Sequence, residues 1–272
     1  MDRYAVFGNP IGHSKSPLIH KLFAEQTKQA IEYGCQEPAQ DQFSLSINAF
    51  FAQGYLGANV TAPFKLDAFS FADELTPRAK MAEAVNTLSK RKDGTVLGDN
   101  TDGEGLVQDL QRLWGSLAGK RLLLIGAGGA TRGIILPLFT AGVGSIHIAN
   151  RTAHKAQNLA DKFSASGKIS GSGFADIPAG GFDGVINCTS SSLDGGLPDV
   201  SPGIFLQAEF AYDMTYKSED TSFMRWASET NNNTAVSDGL GMLVGQAAES
   251  FYLWRHVRPD IQPVIDVVRE MM

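Results

Sequence analysis

The pattern of apolar and polar positions alternates between short β-prone runs and helical stretches along most of the chain. In the first hundred residues, runs typical of strands cover residues 4–7, 57–61 and 84–88. The periodicity then predicts a helix that begins after Asp102 and ends near Gly115. This part of the chain therefore has an α/β pattern with a boundary near residue 102.

The middle of the chain has the pattern of a doubly wound parallel sheet. A continuous apolar run at residues 120–125 is typical of a strand buried on both faces. Further strands are predicted at residues 145–149, 184–187 and 211–213, with helical patterns such as 153–163 between them. The sequence therefore predicts a second α/β domain.

The last part of the chain is helical. Apolar positions from Gly239 to His256 recur at helical spacing, and another helix is predicted after Pro263. The sequence has no internal repeat or long linker, so we expect the two domains to meet across a cleft.

Composition narrows the class of protein. The chain has 272 residues, of which 43% are hydrophobic and 19% charged, as in a folded globular protein. Its formal net charge of -6 gives no general attraction for nucleic acid or an anionic membrane surface. Cys35 and Cys188 form no C-x-x-C pair, which favours a reducing cytoplasm. The N-terminal apolar run is too short for a signal peptide, and Thr131, Arg132 and Pro137 interrupt the apolar stretch 122–144, so we predict neither a signal peptide nor a membrane span.

A glycine-rich loop directly follows the apolar run at residues 120–125. Glycines ahead of a helix let a pyrophosphate approach the backbone amides without meeting a Cβ atom. The third small position of the dinucleotide pattern falls on Thr131, so the match is imperfect, and a turn without a ligand is the alternative. The predicted cofactor loop consists of Gly126, Ala127, Gly128, Gly129 and Ala130.

The residues after the next predicted strand favour NADP over NAD. An NAD site has a carboxylate there for the ribose hydroxyls, whereas this chain has Asn150, Arg151 and Thr152, followed by Lys155. A guanidinium and a hydroxyl bind a 2′-phosphate through charge-assisted hydrogen bonds. The alternative is that Thr152 caps the following helix and Arg151 is only solvated.

Two serines precede a predicted helix that opens at Pro17. Ser14 and Ser16 combine hydroxyls with helix N-terminal amides, which suits a carboxylate ligand. The alternative, weighed equally, is that Ser16 is simply the helix N-cap.

Lys65 and Asp102 are candidates for acid-base chemistry. Lys65 lies at the start of a predicted helix, where the helix dipole disfavours an ammonium group. Asp102 has a structural alternative, because Thr101 to Glu104 fits a capping box. Sequence spacing does not bring the two side chains together.

Several motifs in fixed order decide between these alternatives, and together they resemble the shikimate dehydrogenase family. The resemblance covers nearly the whole chain. It rests on residues 12–17, 59–65, 84–87, 100–103, 126–130, 150–152, 187–190, 212–216 and 238–247.

The resemblance implies NADP-dependent interconversion of shikimate and 3-dehydroshikimate, in chorismate and aromatic amino acid biosynthesis. It implies that Ser14 and Ser16 hold the ring carboxylate and that Lys65 and Asp102 serve the reacting centre. The ring would be bound by further residues, namely Thr61, Asn86, Asp102, Tyr216 and Gln246. Thr189 would lie along the cofactor, with Met214 and Gly239 near the nicotinamide.

The family also implies a domain plan. Residues 1–101, completed by residues 238–272, would form the N-terminal α/β substrate domain, and residues 102–237 the Rossmann-type NADP-binding domain. We expect a cytoplasmic enzyme that uses no metal and is a monomer, with a dimer as the alternative.

Two residues differ from the usual family pattern, and two alternative functions remain to be compared with the shikimate dehydrogenase interpretation. Lys155 replaces a usual arginine, which weakens the expected NADP preference, and Ser222 replaces a common proline. A dual quinate/shikimate dehydrogenase is the nearest rival. An NADP-sensing protein without activity is the other, but it has little reason to keep Lys65, Asp102 and Gln246 together.

Overall fold

The computed structural model describes all 272 residues and divides into two compact units. Residues 1–105 and 243–271 form the first unit, and residues 106–242 with Met272 form the second. The domain boundaries implied by the family resemblance stay a prediction. None of the helices combines the length and the apolar character that crossing a bilayer requires.

The first unit is built on a mixed six-stranded sheet. Its elements are β1 (Asp2–Phe7), α1 (Ser16–Thr27), β2 (Ile31–Gln36), α2 (Phe43–Ala52), β3 (Gly57–Val60), α3 (Lys65–Phe71), β4 (Glu74–Leu75), α4 (Pro77–Ala82), β5 (Thr87–Lys90) and β6 (Val96–Asp99). The helices α5 (Asp102–Trp114) and α9 (Leu240–Arg255) have residues in both units, and α10 (Gln262–Glu270) belongs to the first.

The strand order β2-β1-β3-β5-β6-β4 brings the ends of several strands to one edge of this sheet. β1 and β3 are parallel, while β5 is antiparallel to both β3 and β6. Phe7 pairs with Val60, and Thr87 pairs with Asp99. The carboxyl ends of β1, β3 and β6 therefore lie beside the start of β5, above a core of phenylalanine and aliphatic side chains.

The second unit contains a six-stranded sheet in which every pair is parallel. Its elements are β7 (Arg121–Ile125), α6 (Gly129–Thr140), β8 (Ser145–Ala149), α7 (Ala153–Lys162), β9 (Ile169–Ser172), β10 (Gly184–Asn187), β11 (Phe210–Asp213), α8 (Ser222–Thr230) and β12 (Ala235–Asp238). The order β12-β11-β10-β7-β8-β9 reverses direction between β7 and β10, where such sheets bind ligands. The predicted parallel α/β sheet is confirmed.

Several predicted element boundaries were wrong; α10, for example, begins at Gln262 and not after Pro263. The strand predicted at residues 84–88 is β5, which begins only at Thr87, because the Val85 amide donates to the Lys65 carbonyl instead of a strand partner. α1 begins at Ser16 rather than Pro17, and its N-cap is Lys15. Ser16 is therefore not the N-cap, which removes the structural alternative for that residue.

Candidate active site

Lys65 and Asp102 form an ion pair within the first unit. Lys65 is the first residue of α3 and Asp102 the first of α5, and the Lys65 Nζ atom lies 2.5 Å from Asp102 Oδ2. The side chains are 33% and 18% exposed, so both reach solvent from a partly buried setting. The sheet order creates this contact, because it places the start of α3 near the end of β6. A protonated amine beside a carboxylate is suited to proton transfer.

The residues of the capping box are engaged elsewhere. The Thr101 hydroxyl donates to Asn86 Oδ1 at 3.1 Å, and Glu104 lies 3.8 Å from the Arg78 guanidinium. The other oxygen of Asp102 accepts a hydrogen bond from Asn86 Nδ2 at 2.8 Å. Both carboxylate oxygens of Asp102 are thus held, which fixes the orientation of this side chain.

Asn86 is the centre of this arrangement. It is buried, and its Nδ2 atom lies within hydrogen-bond distance of Thr101, Asp102 and Gln246, the last at 3.4 Å. Because the amide has only two hydrogens for three acceptors, these acceptors share its hydrogens, and at least one of them has capacity left to accept from a new donor. Gln246 lies in α9, where its Nε2 atom donates to the Leu243 carbonyl at 2.8 Å.

A buried polar network underlies these side chains. Asn59 Oδ1 accepts from the Tyr33 hydroxyl at 2.7 Å and faces His20 Nε2 at 3.2 Å, while Asn59 Nδ2 donates to Thr87 and Ser250. Burial lowers the pKa of His20 to about 3, although its bond to Asn59 acts in the opposite direction. His20 is therefore neutral at ordinary pH.

Sequence reasoning did not identify Tyr33 and His20. Tyr33 lies on edge strand β2, and its hydroxyl contacts the Ser16 side chain as well as Asn59. His20 follows Ser16 by four residues, hence lies on the same face of α1. That spacing was the only available signal, because β2 has no continuous apolar run.

The two predicted anion-binding serines lie at the start of α1. The Ser14 hydroxyl accepts from the Ser16 amide at 3.3 Å, and Ser16 is buried while Ser14 is half-buried. Thr61 is also half-buried and directly follows β3, where its amide donates to the Phe7 carbonyl at 2.8 Å. Each of these predicted substrate residues lies just beyond the carboxyl end of β1 or β3.

The glycine loop of the second unit fits a dinucleotide. Gly126 has φ of +109°, a conformation that L side chains rarely adopt, and Gly128 is the N-cap of α6. A Cβ atom added at Gly128 or Gly129 would meet no atom within 4 Å, so this space is open to a ligand. The Ala127 amide donates to Asn150 Oδ1 at 3.2 Å, whereas Ala130 is exposed in the first turn of α6. The Thr131 hydroxyl donates a hydrogen bond to the Gly126 carbonyl at 2.9 Å, which connects the first turn of α6 to the loop.

The predicted phosphate-binding side chains surround the start of α7. Arg151 and Lys155 are exposed. Thr152 is the N-cap residue of α7, but its side chain forms no capping hydrogen bond. Asn150 Nδ2 donates to the Thr152 carbonyl at 3.0 Å, which shapes this turn. Two cations and a hydroxyl with spare bonding capacity suit a 2′-phosphate, so the residues present fit NADP.

Thr189, Met214 and Gly239 lie at the carboxyl ends of neighbouring strands. An added Cβ atom at Gly126 would lie 3.1 Å from the Thr189 methyl group, so Thr189 borders the glycine loop. An added Cβ at Gly239 would lie 2.2 Å from the Met214 carbonyl oxygen, so only glycine fits there. Tyr216 is half-buried in this unit; burial, followed by the charge of Asp238, raises its pKa.

The fold thus gathers the predicted residues into two sets. The first unit holds Ser14, Ser16, Thr61, Lys65, Asn86, Asp102 and Gln246. The second unit holds Tyr216 and the candidate cofactor residues.

Comparisons with known proteins agree over the whole chain. Residues 6–88 match the model of the shikimate dehydrogenase substrate binding domain, residues 108–193 that of shikimate / quinate 5-dehydrogenase, and residues 239–269 that of the shikimate 5'-dehydrogenase C-terminal domain. The shikimate dehydrogenase (NADP(+)) of Pseudoalteromonas atlantica is 71% identical across the full length of both chains.

Solved structures are also similar to this chain over nearly its whole length. The crystal structure of an Ael1 enzyme from Pseudomonas putida has a TM-score of 0.92 at 43% identity and covers 98% of each chain. Shikimate 5-dehydrogenase from Thermus thermophilus, solved in complex with NADP(H) and shikimate, has a TM-score of 0.86 at 28% identity over 100% of each chain.

Proposed function

Because this chain belongs to the shikimate dehydrogenase family, we propose that it catalyses the reversible NADPH-dependent reduction of 3-dehydroshikimate to shikimate. This reaction belongs to the biosynthesis of chorismate and the aromatic amino acids. The observation that carries the proposal is the ion pair between Lys65 and Asp102, which joins two residues 37 positions apart at one edge of the sheet.

Reduction of a ketone requires a hydride and a proton. NADPH supplies the hydride when it is bound. Lys65 donates the proton to the developing alkoxide, because its ammonium group is the acid of the pair and is exposed enough to be reprotonated by solvent. Asp102 orients that ammonium and accepts a hydrogen bond from a ring hydroxyl. In the oxidative direction Lys65 accepts the hydroxyl proton.

Substrate recognition follows the charges and hydroxyls of the ring. Ser14 and Ser16 bind the carboxylate with hydroxyls and the first amides of α1. Thr61, Asn86 and Gln246 bind the ring hydroxyls, and a ring hydroxyl takes the place of one of the three acceptors that share the Asn86 Nδ2 group. Tyr216 lines the ring.

Cofactor recognition divides between backbone and side chains. The amides of the glycine loop, from Gly126 to Ala130, bind the pyrophosphate at the start of α6. The 2′-phosphate is bound by Arg151, Thr152 and Lys155. Asn150 connects their turn to the glycine loop, because its side chain bonds to both the Thr152 carbonyl and the Ala127 amide. Thr189 would lie along the cofactor, and Met214 and Gly239 would lie near the nicotinamide.

The test is an initial-rate assay of near-ultraviolet absorbance that crosses shikimate and quinate with NADP and NAD. We expect turnover largely confined to shikimate with NADP. Comparable quinate or NAD rates would assign the chain to a dual-specificity enzyme and implicate Lys155. Binding of NADP without turnover of either substrate would refute the proposed activity. We expect the enzyme to be a cytoplasmic monomer, which light scattering on the purified protein checks for the oligomeric state.

A further inference from the structure

A cluster of charged side chains in the first unit is connected by hydrogen bonds to the proposed catalytic pair. Arg78 of α4 donates from Nε to Asp99 Oδ1 and from Nη2 to Asp99 Oδ2, both at 2.7 Å. The side chains are 20% and 3% exposed. This is a bidentate pair, the strongest geometry available to an arginine and a carboxylate.

Both partners are held in their charged forms. Burial lowers the pKa of Arg78, but its hydrogen bonds and charge attraction to Asp99 and Glu249 raise it overall. Burial raises the pKa of Asp99, and the bonds from Arg78, Thr76 and the Asn100 amide lower it to below its ordinary value. A buried pair of this kind is a poor source of stability compared with apolar packing, so a role in fixing geometry is the alternative to consider.

One set of bonds leads from Arg78 to Asp102. Asp99 Oδ1 accepts the Asn100 amide at 2.7 Å, and Asn100 Oδ1 accepts the Asp102 amide at 3.2 Å. The Asn100 side chain is also tied to the Ala84 carbonyl at 3.1 Å. The side chains of Asp99 and Asn100 therefore connect the turn that carries Asp102 to the Arg78 guanidinium by hydrogen bonds.

A second set of bonds leads from Arg78 to α9. Arg78 Nη2 donates to Glu249 Oε1 at 3.1 Å, and Glu249 is buried. Glu249 lies three residues after Gln246 and immediately before Ser250, which bonds to Thr87. The same guanidinium therefore constrains the helix that carries Gln246.

We propose that Arg78 is a positioning residue for the reaction: through Asp99 and Glu249 it sets the position of Asp102 against Lys65 and of Gln246 against the substrate. This inference rests on the proposed function. Misplacement of a reacting group by about 1 Å costs about 10²-fold in rate, so a residue that touches neither substrate nor cofactor can still control the rate of the chemical step.

The experiment compares Arg78→Met and Arg78→Lys with Arg258→Met. Arg258 is the matched control because it also pairs with Glu249 but is more exposed. Its Nη1 atom donates to Glu249 Oε2 at 2.8 Å, whereas Arg78 donates to Oε1. For Arg78→Met we expect kcat to fall about 10- to 100-fold, with the KM for NADP within about twofold of wild type. Arg78→Lys should be intermediate, because a single ammonium cannot reproduce the planar fork. Arg258→Met should keep kcat within about twofold.

A pH profile of kcat separates positioning from a purely structural role. If Arg78 positions Asp102, its replacement shifts the pH at which kcat is half-maximal, because the contact between Asp102 and Lys65 changes. A purely structural residue would instead lower Tm and the fraction that binds NADP, while kcat per binding-competent molecule and the profile stay as in wild type. That result would overturn the inference.

Two further outcomes are distinguishable. If Arg78→Met does not fold, Arg78→Lys carries the test, and millimolar guanidinium added to Arg78→Ala should restore rate in that variant but not in Lys65→Ala. Absence of such rescue together with a wild-type kcat for Arg78→Lys would refute the positioning role. No turnover by the wild-type protein would refute the proposed function and this inference together, whereas wild-type turnover with an unaltered Arg78→Met refutes only the latter.

Discussion

The two units prepare their sites in opposite ways. In the first unit, side chains are held by other side chains: Asp102 is bonded to Lys65 and Asn86, and Asn86 is in turn bonded to Thr101. In the second unit, the glycine loop offers backbone amides and open space, and Arg151 projects into solvent. The substrate side is therefore organised in advance, whereas the 2′-phosphate side depends on free cations.

The chemistry of the ligands accounts for this difference. A small ring with several hydroxyls is distinguished by the directions of individual hydrogen bonds, which requires fixed side chains. A pyrophosphate carries concentrated charge, which helix N-terminal amides bind without side chains. Damage to the first unit should therefore act mainly on kcat, and damage to the second mainly on the KM for NADP.

The largest effect is expected for Lys65→Ala. Loss of a positioned proton donor should lower kcat by about 10²-fold or more with little change in the KM for shikimate. Lys80→Ala, which removes an exposed lysine from α4, is the matched control and should leave kcat unchanged. Steady-state kinetics decide the matter: a large rise in KM with a small change in kcat would make Lys65 a binding residue.

Arg151→Ala should have the next largest effect, confined to the cofactor. Hydrogen bonds to a charged group contribute about 1.5–3 kcal/mol, so the KM for NADP should rise about 10- to 100-fold. The KM for NAD should stay nearly constant, since NAD has no 2′-phosphate. Parallel titrations of both cofactors provide the measurement, and equal effects on the two would remove Arg151 from the phosphate site.

Gly128→Ala separates ligand space from folding. The added methyl group meets no protein atom within 4 Å and the backbone φ is negative, so Tm should be unchanged. Because the methyl group would enter the space assigned to the pyrophosphate, the KM for NADP should rise about 10-fold. Gly34→Ala, also with open space but in β2, is the control and should alter neither quantity. An unchanged KM for Gly128→Ala would place the pyrophosphate elsewhere.

The smallest effect on rate, and a distinct effect on stability, is expected from the network beneath the substrate residues. The folded pKa of His20 is about 3, below the ordinary value of about 6.5 for an unfolded chain. As the pH falls from about 6.5 towards 3, the unfolded chain gains a proton that the folded protein does not. His20 alone therefore lowers the free energy of unfolding by about 1.4 kcal/mol per pH unit in that window.

Urea unfolding of His20→Gln at several pH values measures this contribution. The variant should lose stability less steeply between pH 6 and pH 4 than wild type, by about 1.4 kcal/mol per unit. His13→Gln, which changes an exposed histidine, should keep the wild-type slope. Identical slopes for wild type and His20→Gln would show that His20 is protonated in the folded protein.

The strength of local signals decided which parts of the fold were predictable. Strands β7, β8 and β10 were all predicted within one residue, because they lie in the interior of a parallel sheet and most of their residues are buried; in β7 this gives a continuous apolar run. β2 was missed because it is an edge strand with exposed positions, so its side chains carry no regular pattern. β5 was misplaced because the Val85 amide donates to the Lys65 carbonyl at the start of α3, which is a long-range contact.

The sequence by itself determined the residue types and their positions relative to strand ends: the serines around the start of α1, the glycines after β7, and the basic residues after β8. These follow from rules that act over a few residues, such as helix capping, backbone freedom and periodicity. Only the tertiary structure decided that Lys65 meets Asp102 and that Arg78 reaches Asp99. Such contacts depend on strand order and on which chain segments share an edge of the sheet, and no spacing along the chain encodes them locally.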